Sequence, residues 1–300
     1  MPGDTAIITS ARDSLRRLDS LNQLQATFTG KPDTGHGTGV FIILLAAGIV
    51  FLIIRYRRKY LKEQAYKAVQ SNFTQYDEWL AAYNEYYKSL PPSMRQRFLE
   101  RVAWFIVTKK FNPLNMPLED KMPLLISAAS VQITFGLDKY LLDFFDTIYT
   151  MQHNYNYGRY NMPFEGHVNS NGVYLSWDNF LRGYENYADA DNVGIHEMAH
   201  ALAYVNFMAG ANDGQDEAFI KRFYHFSAVA RPIFNDMQLG KTNLLNQYAG
   251  TNYNEFWAVA VETFFEKSLH MKVEMPDLYM AMCSLLNQDP LLPEKLLTLV

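Results

Sequence analysis

The stretch Asn192-Val-Gly-Ile-His196-Glu197-Met-Ala-His200-Ala-Leu202 decides how this chain is read. Asp189 to Asn192 supply N-cap residues, and the apolar spacing behind them predicts a helix running to about Met208. On such a helix, residues four apart share a face one turn above each other. His196 and His200 can therefore grip one metal ion, and Glu197 projects beside them where a general base belongs. That pattern is half of a zinc peptidase site. It needs a third protein ligand and an open position for water.

Positions 203 and 206 are Ala and Asn, which excludes the extended HExxHxxGxxH arrangement. Glu217 is followed four residues later by Lys221, so it does not open an ExxxD pair. Glu255, in the first turn of a helix expected from Asn254 to His270, is the leading ligand candidate. Tyr248 lies seven residues earlier, where its phenol could donate to a developing oxyanion. A second reading of Glu255 stands beside the first: Asn252 with Glu255 three residues on has the form of a capping box, in which the carboxylate binds backbone and no metal. His225 is a weaker alternative ligand. His153, His167 and His270 are read as packing or surface residues.

The remaining composition narrows the function classes. A formal charge of −4 and a pI near 6.0 give no basic footprint for nucleic acid. A single cysteine, Cys283, cannot form an internal disulfide and reads as a buried small hydrophobe.

Val40 to Ile54 (VFIILLAAGIVFLII) contains no charged residue. With Thr38, Gly39, Arg55 and Tyr56 it approaches the roughly 17–25 residues that a bilayer span requires. A cleaved signal peptide fits poorly, because about forty residues precede the run and the first eleven carry no Lys or Arg; a buried core helix is the other reading. Arg55, Arg57, Arg58, Lys59, Lys62 and Lys67 follow the run, whereas the cations before it are balanced by acids. The expectation is a single-pass anchor in the inner (plasma) membrane, N-terminus outside and C-terminal domain cytoplasmic.

The domain organisation expected is a polar tail over 1–37, a transmembrane helix over 38–56, a basic juxtamembrane helix over 57–78 and one domain over 79–300. Within that domain, Ser93 begins an amphipathic helix, and helices follow over about 121–137 and 139–150. A hairpin turns at Asn171-Gly172 with an edge strand at Val173 to Trp177, and a helix over 216–229 ends in a turn at Pro232. The fold class is α+β, mainly helical, with a small antiparallel sheet.

Several segments together resemble one family. VYLSW (173–177), NVGIHEMAHAL (192–202), Asp213-Gly214, YAGTNYNEFWAVAVETFFEKS (248–268) and the helical front LPPSMRQRFLERVAWFIVTKKF are similar to the Mlc titration factor A family of zinc-dependent peptidases. The Tyr, Thr-Asn, Glu-Phe segment also resembles the C-terminal metalloprotease domain of anthrax lethal factor. The resemblance implies a zincin-like metallopeptidase domain with His196, His200 and Glu255 as Zn2+ ligands, Glu197 as general base and Tyr248 as the oxyanion-stabilising phenol. The chain departs from the family's HEFAHxLD at Met198 and at Ala203, where the family carries an acid.

The activity expected is peptide-bond hydrolysis by a zinc-bound water with Glu197 as base, with an aminopeptidase among the options and a peptide or protein as substrate. Glu262, seven residues past Glu255 on the same helical face, is a candidate acceptor for a ligand histidine's ring N–H, or else a buried helical carboxylate. The alternative function is a binding protein that sequesters a transcriptional regulator, the zinc site being secondary.

Overall fold

The computed structural model describes residues 37–158, 163–210 and 214–293. The polar tail expected over 1–37 lies almost wholly outside them, as does Asp213. Two units are distinguished, Met1–Tyr60 and Leu61–Val300.

In the first unit the described residues belong to helix α1 (Gly37–Gln70), which continues past residue 60. Phe41, Leu44, Leu45 and Ile49 to Ile54 are exposed on it. Among the described residues no helix is long and apolar enough to cross a membrane. The side chains of 40, 42, 43 and 46, inside the apolar run, lie outside the described set.

The second unit is mainly helical around a four-stranded sheet. After α2 (Phe73–Tyr83), α3 (Glu85–Ser89) and α4 (Pro92–Thr108) come β1 (Lys110–Pro113), α5 (Met122–Thr134) and β2 (Thr147–Met151). Then follow β3 (Gly166–Asn169), β4 (Gly172–Ser176), α6 (Trp177–Glu185), α7 (Val193–Phe207) and α8 (Glu217–Gln238). A 3-10 turn (Gln247–Gly250) leads into α9 (Tyr253–Glu266), α10 (Ser268–Glu274) and α11 (Pro276–Leu286).

The sheet corrects the expected antiparallel arrangement. Its order is β1-β2-β4-β3; β1 pairs parallel with β2 and β2 parallel with β4, and only β3 and β4 are antiparallel. Parallel neighbours need a crossover, and α5 provides it between β1 and β2. Every residue of α5 except Pro123 is buried, with Ser127, Ser130, Gln132 and Thr134 among an otherwise apolar set. Strand β2 replaces part of the helix expected over 139–150. Leu142 takes a positive φ of 50°, which interrupts a helix, and the β-branched and aromatic run Thr147-Ile-Tyr-Thr then pairs on both sides.

The hairpin at Asn171-Gly172 forms between β3 and β4 as the dipeptide suggests. The edge strand is β3, however. Residues 172–176 sit inside the sheet between β2 and β3, and Trp177 begins α6. The Ser176 N–H donates to the Glu165 carbonyl (2.7 Å). By antiparallel alternation His167 and Asn169 also turn their backbone groups toward β4, and Gly166 and Val168 turn theirs outward.

Helix α8 runs through Pro232, where a turn was expected. The ring removes one helical hydrogen bond, but Phe226, Ala230 and Met237 are buried on both sides of it, and Phe234 meets Tyr253 and Phe256 edge-on. Tertiary burial overrides the local break. Cys283 is free and buried, as read.

Candidate metal centre

Helix α7 begins at Asn192, whose side-chain oxygen accepts from the Ile195 N–H (3.1 Å). The same side chain donates to Glu266 Oε1 of α9 (2.9 Å), so the start of the helix is tied to its neighbour. From that anchored end His196 and His200 lie a turn apart with their rings nearly perpendicular, and the Nε2 atoms are 3.0 Å apart. Helix α7 packs against α5, α6, α8 and α9 and against β3 and β4, and His196 and His200 line the cavity region.

Helix α9 brings Glu255 to this pair. Asn252 caps α9, accepting from the N–H groups of Asn254 and Glu255 (3.0 and 3.1 Å). The Glu255 carboxylate turns to the imidazoles, with Oε2 3.0 Å from His196 Nε2 and 3.3 Å from His200 Nε2. One ligand atom from each of the three residues falls within 4.8 Å of the others. The backbone half of the capping box is present, and the side chain faces the histidines.

Two turns of α9 further on, Glu262 Oε1 accepts from His196 Nδ1. That bond leaves the lone pair of the neutral ring at Nε2, facing the Glu255 oxygen and the second imidazole. Three lone-pair donors at this spacing repel one another unless a proton or a metal cation stands among them. Two imidazoles and one carboxylate are also the ligand chemistry of a three-ligand metal centre, so the residues fit a divalent metal. Glu197 Oε2 is buried with no hydrogen-bond partner among the described residues, beside the cluster rather than in it.

The electrostatics follow from burial and proximity. Burial opposes a charged His196 ring, but Glu262 and Glu255 outweigh it and hold its pKa well above the usual value. Burial also works against an ionised Glu255, yet its contacts with His196 and His200 bring it down to about 2. Burial pushes Glu262 up. It pushes Glu197 up to about 7 despite the two imidazoles nearby. A carboxyl tuned to that range suits proton transfer near neutral pH.

Tyr248 sits in the 3-10 turn, where Asn246 accepts its N–H (3.0 Å), and its ring lies 6.2 Å from that of His196. The residue is 53% exposed at the mouth of the site. Gln238, at the end of α8, donates to the Gly250 carbonyl and ties the turn to that helix. Burial of the phenol and the nearby Glu255 and Glu197 carboxylates raise its pKa.

The other histidines among the described residues are not in the cluster, although His167 lines the smaller cavity beside it. His225 lies on α8 in a groove beside Asp277 and Met280, His153 pairs with Asp178 (2.5 Å), His167 stacks on Tyr174 (4.3 Å) and His270 is exposed.

Sequence reasoning missed Gly166, on the edge strand. A Cβ at that position would lie 2.5 Å from Glu197 Cγ and 2.6 Å from Oε1, so only glycine lets β3 lie against the carboxylate. No periodic or motif signal marks it. Two cavities, of about 570 and 740 Å3, flank the cluster and share His196, Glu197, Gly166 and Tyr248 as walls.

An uncharacterized protein of Synechocystis sp. is 24% identical to this chain over 227 residues, which cover 69% of this chain and 81% of the relative. The model of the glucose-regulated metallo-peptidase M90 family matches residues 55–286, a span that contains β3, α7, the Tyr248 turn and α9. With a two-histidine, one-carboxylate cluster at its centre and that family's pattern over most of its length, the chain belongs to the M90 metallopeptidases.

Proposed function

We propose that this protein is a membrane-anchored, zinc-dependent peptidase with His196, His200 and Glu255 as metal ligands, Glu197 as general base and Tyr248 as oxyanion donor. The observation that carries the reading is the convergence of Glu255 on the histidine pair, 3.0 and 3.3 Å away, with Glu197 buried beside them. Zinc is the metal that two imidazoles and a carboxylate suit best, and when bound it supplies Lewis acidity to a water and to the scissile carbonyl.

The protein's own groups do the rest. Glu197 takes a proton from the attacking water and returns it to the departing amine. The Tyr248 phenol donates a hydrogen bond to the oxygen that gains negative charge as the carbonyl carbon becomes tetrahedral. Glu262 fixes the His196 ring and its tautomer through Nδ1. The outward N–H and C=O groups of Gly166 and Val168 pair with an extended peptide and hold it over the cluster. A structural metal would want four protein ligands; the cluster offers three, which favours catalysis over a regulator-binding role. Glu165 and Asp191 line the larger cavity and suit a free amino group, which supports aminopeptidase action.

The anchor rests on the exposed apolar side chains of α1 and the basic residues that follow them, with the catalytic unit on the cytoplasmic side. Protease treatment of spheroplasts tests this: the C-terminal unit should be degraded only after lysis.

The peptidase reading is tested with the purified full chain. It should bind about one equivalent of zinc and cleave peptides, and Glu197→Gln should keep the zinc and lose turnover by about 10²–10⁴-fold. Undiminished cleavage in that variant would remove Glu197 as the base.

A further inference from the structure

We infer that the smaller cavity beside the metal cluster is a substrate subsite selecting a large apolar or aromatic side chain next to the scissile bond. The inference rests on the peptidase reading and adds a substrate class to it.

The cavity starts at His196, Glu197, His200 and Glu255 and extends along the C-terminal half of α7 past Ala203 and Tyr204 to Phe207. Its far wall is Phe223 of α8 and Trp257 of α9. The Phe207 and Phe223 rings are 4.6 Å apart, and Phe223 meets Trp257 edge-on at 5.7 Å. Trp257 is fixed in turn by donation from its Nε1 to the Ala199 carbonyl (2.8 Å), in the helix turn between the two histidines. The aromatic wall and the metal cluster are thus one rigid assembly.

Among the described lining residues, the only carboxylates are Glu197 and Glu255, which the reaction itself uses, and no Lys or Arg is present. The cavity on the other side differs, with Glu165, Asp191 and Glu262 in its walls. A volume of about 570 Å3 is in the range of ligand pockets and exceeds what a small side chain fills. Phe207 is 41% exposed at the rim, and an aromatic ring in that position gains when an apolar group covers it. Val168, whose backbone faces outward on the edge strand, lines the same cavity, so a peptide paired there has a side chain within reach of it. Ala203 lies on the cavity side of α7, three residues past His200, and its small side chain leaves that wall uncharged.

The test uses full-length, zinc-supplemented Glu197→Gln protein and fluorescein-labelled hexapeptides that differ only at the two central positions. Peptides with Phe or Leu at one of those positions should bind at least about tenfold tighter than those with Ala or Asp. Adding Phe207→Ser or, separately, Ala203→Asp should erase that preference, and the second should move it toward Lys; circular dichroism identifies a variant that has not folded. Equal binding of all peptides, or a preference that survives in both folded variants, overturns the subsite. Turnover of the same peptides by unsubstituted protein reports separately on the peptidase reading: selective binding without turnover removes the catalysis and leaves the subsite standing.

Discussion

Gly166 and Glu197 touch without leaving room for a methyl group: a Cβ on the glycine would stand 2.5 Å from the Cγ of the carboxylate. The edge strand and the Glu197 carboxylate are therefore set against each other by the absence of a side chain. Gly166→Ala must push Glu197 aside, because the clash falls on Cγ as well as on the carboxylate at the end of the chain, so turning the carboxylate alone does not relieve it. We expect kcat/KM to fall about 100-fold, as for an ångström-scale misplacement of a reacting group. Zinc affinity should stay unchanged, since no ligand moves. Steady-state kinetics with metal analysis on the same preparation checks both, and unaltered kinetics would falsify the packing argument.

Glu262 is in hydrogen-bond contact with the His196 ring. Glu262→Gln keeps an acceptor for the ring N–H but removes the charge that makes the ring a stronger donor to metal. Zinc affinity should weaken about tenfold. Competition against a chelator of known affinity measures it, and an unchanged dissociation constant would assign Glu262 to packing alone.

Tyr248→Phe deletes one hydroxyl on a half-exposed turn, so folding should be untouched. A donor used only as the oxyanion forms lowers kcat and spares KM; we expect a loss of about 10²–10³-fold in kcat. A rise in KM at constant kcat would make Tyr248 a substrate-binding residue instead.

Glu266 gives the fold a pH dependence of its own. Burial raises its pKa to about 8, and Oε2 has no hydrogen-bond partner among the described residues. A carboxyl raised on folding binds more protons in the native state than in the unfolded chain between the ordinary value near 4.5 and about 8. Its stabilising contribution is complete below that window and is lost as pH rises through it. Glu266→Gln mimics the protonated form, so its melting temperature relative to the parent should rise by roughly 2–4 °C between pH 5 and pH 8.5. Thermal unfolding at the two pH values reads this directly; a difference that does not grow with pH removes Glu266 as the source.

Much of the site's local order was legible because it is local. The four-residue step from His196 to His200, the Asn192 and Asn252 caps and the Asn171-Gly172 turn each depend on a few bonds of backbone geometry. Strand β2 was hidden because LLDFFDTIYT carries apolar residues at both helical and strand spacing, and only pairing with β1 and β4 selects one. The helix through Pro232 was hidden for the same kind of reason: burial of distant side chains outweighs one missing hydrogen bond.

By itself the sequence determined the pair of imidazoles, the carboxylate beside them and the helix that carries all three, since a periodic backbone converts spacing into direction. Only the tertiary structure decided that the Glu255 carboxylate faces those imidazoles from another helix, that β3 rather than β4 is an edge strand, and that Gly166 and the Phe207 wall border the centre. Each of those depends on contacts between segments far apart in the chain. Their register is set by packing across the whole core, and no short stretch of residues encodes it.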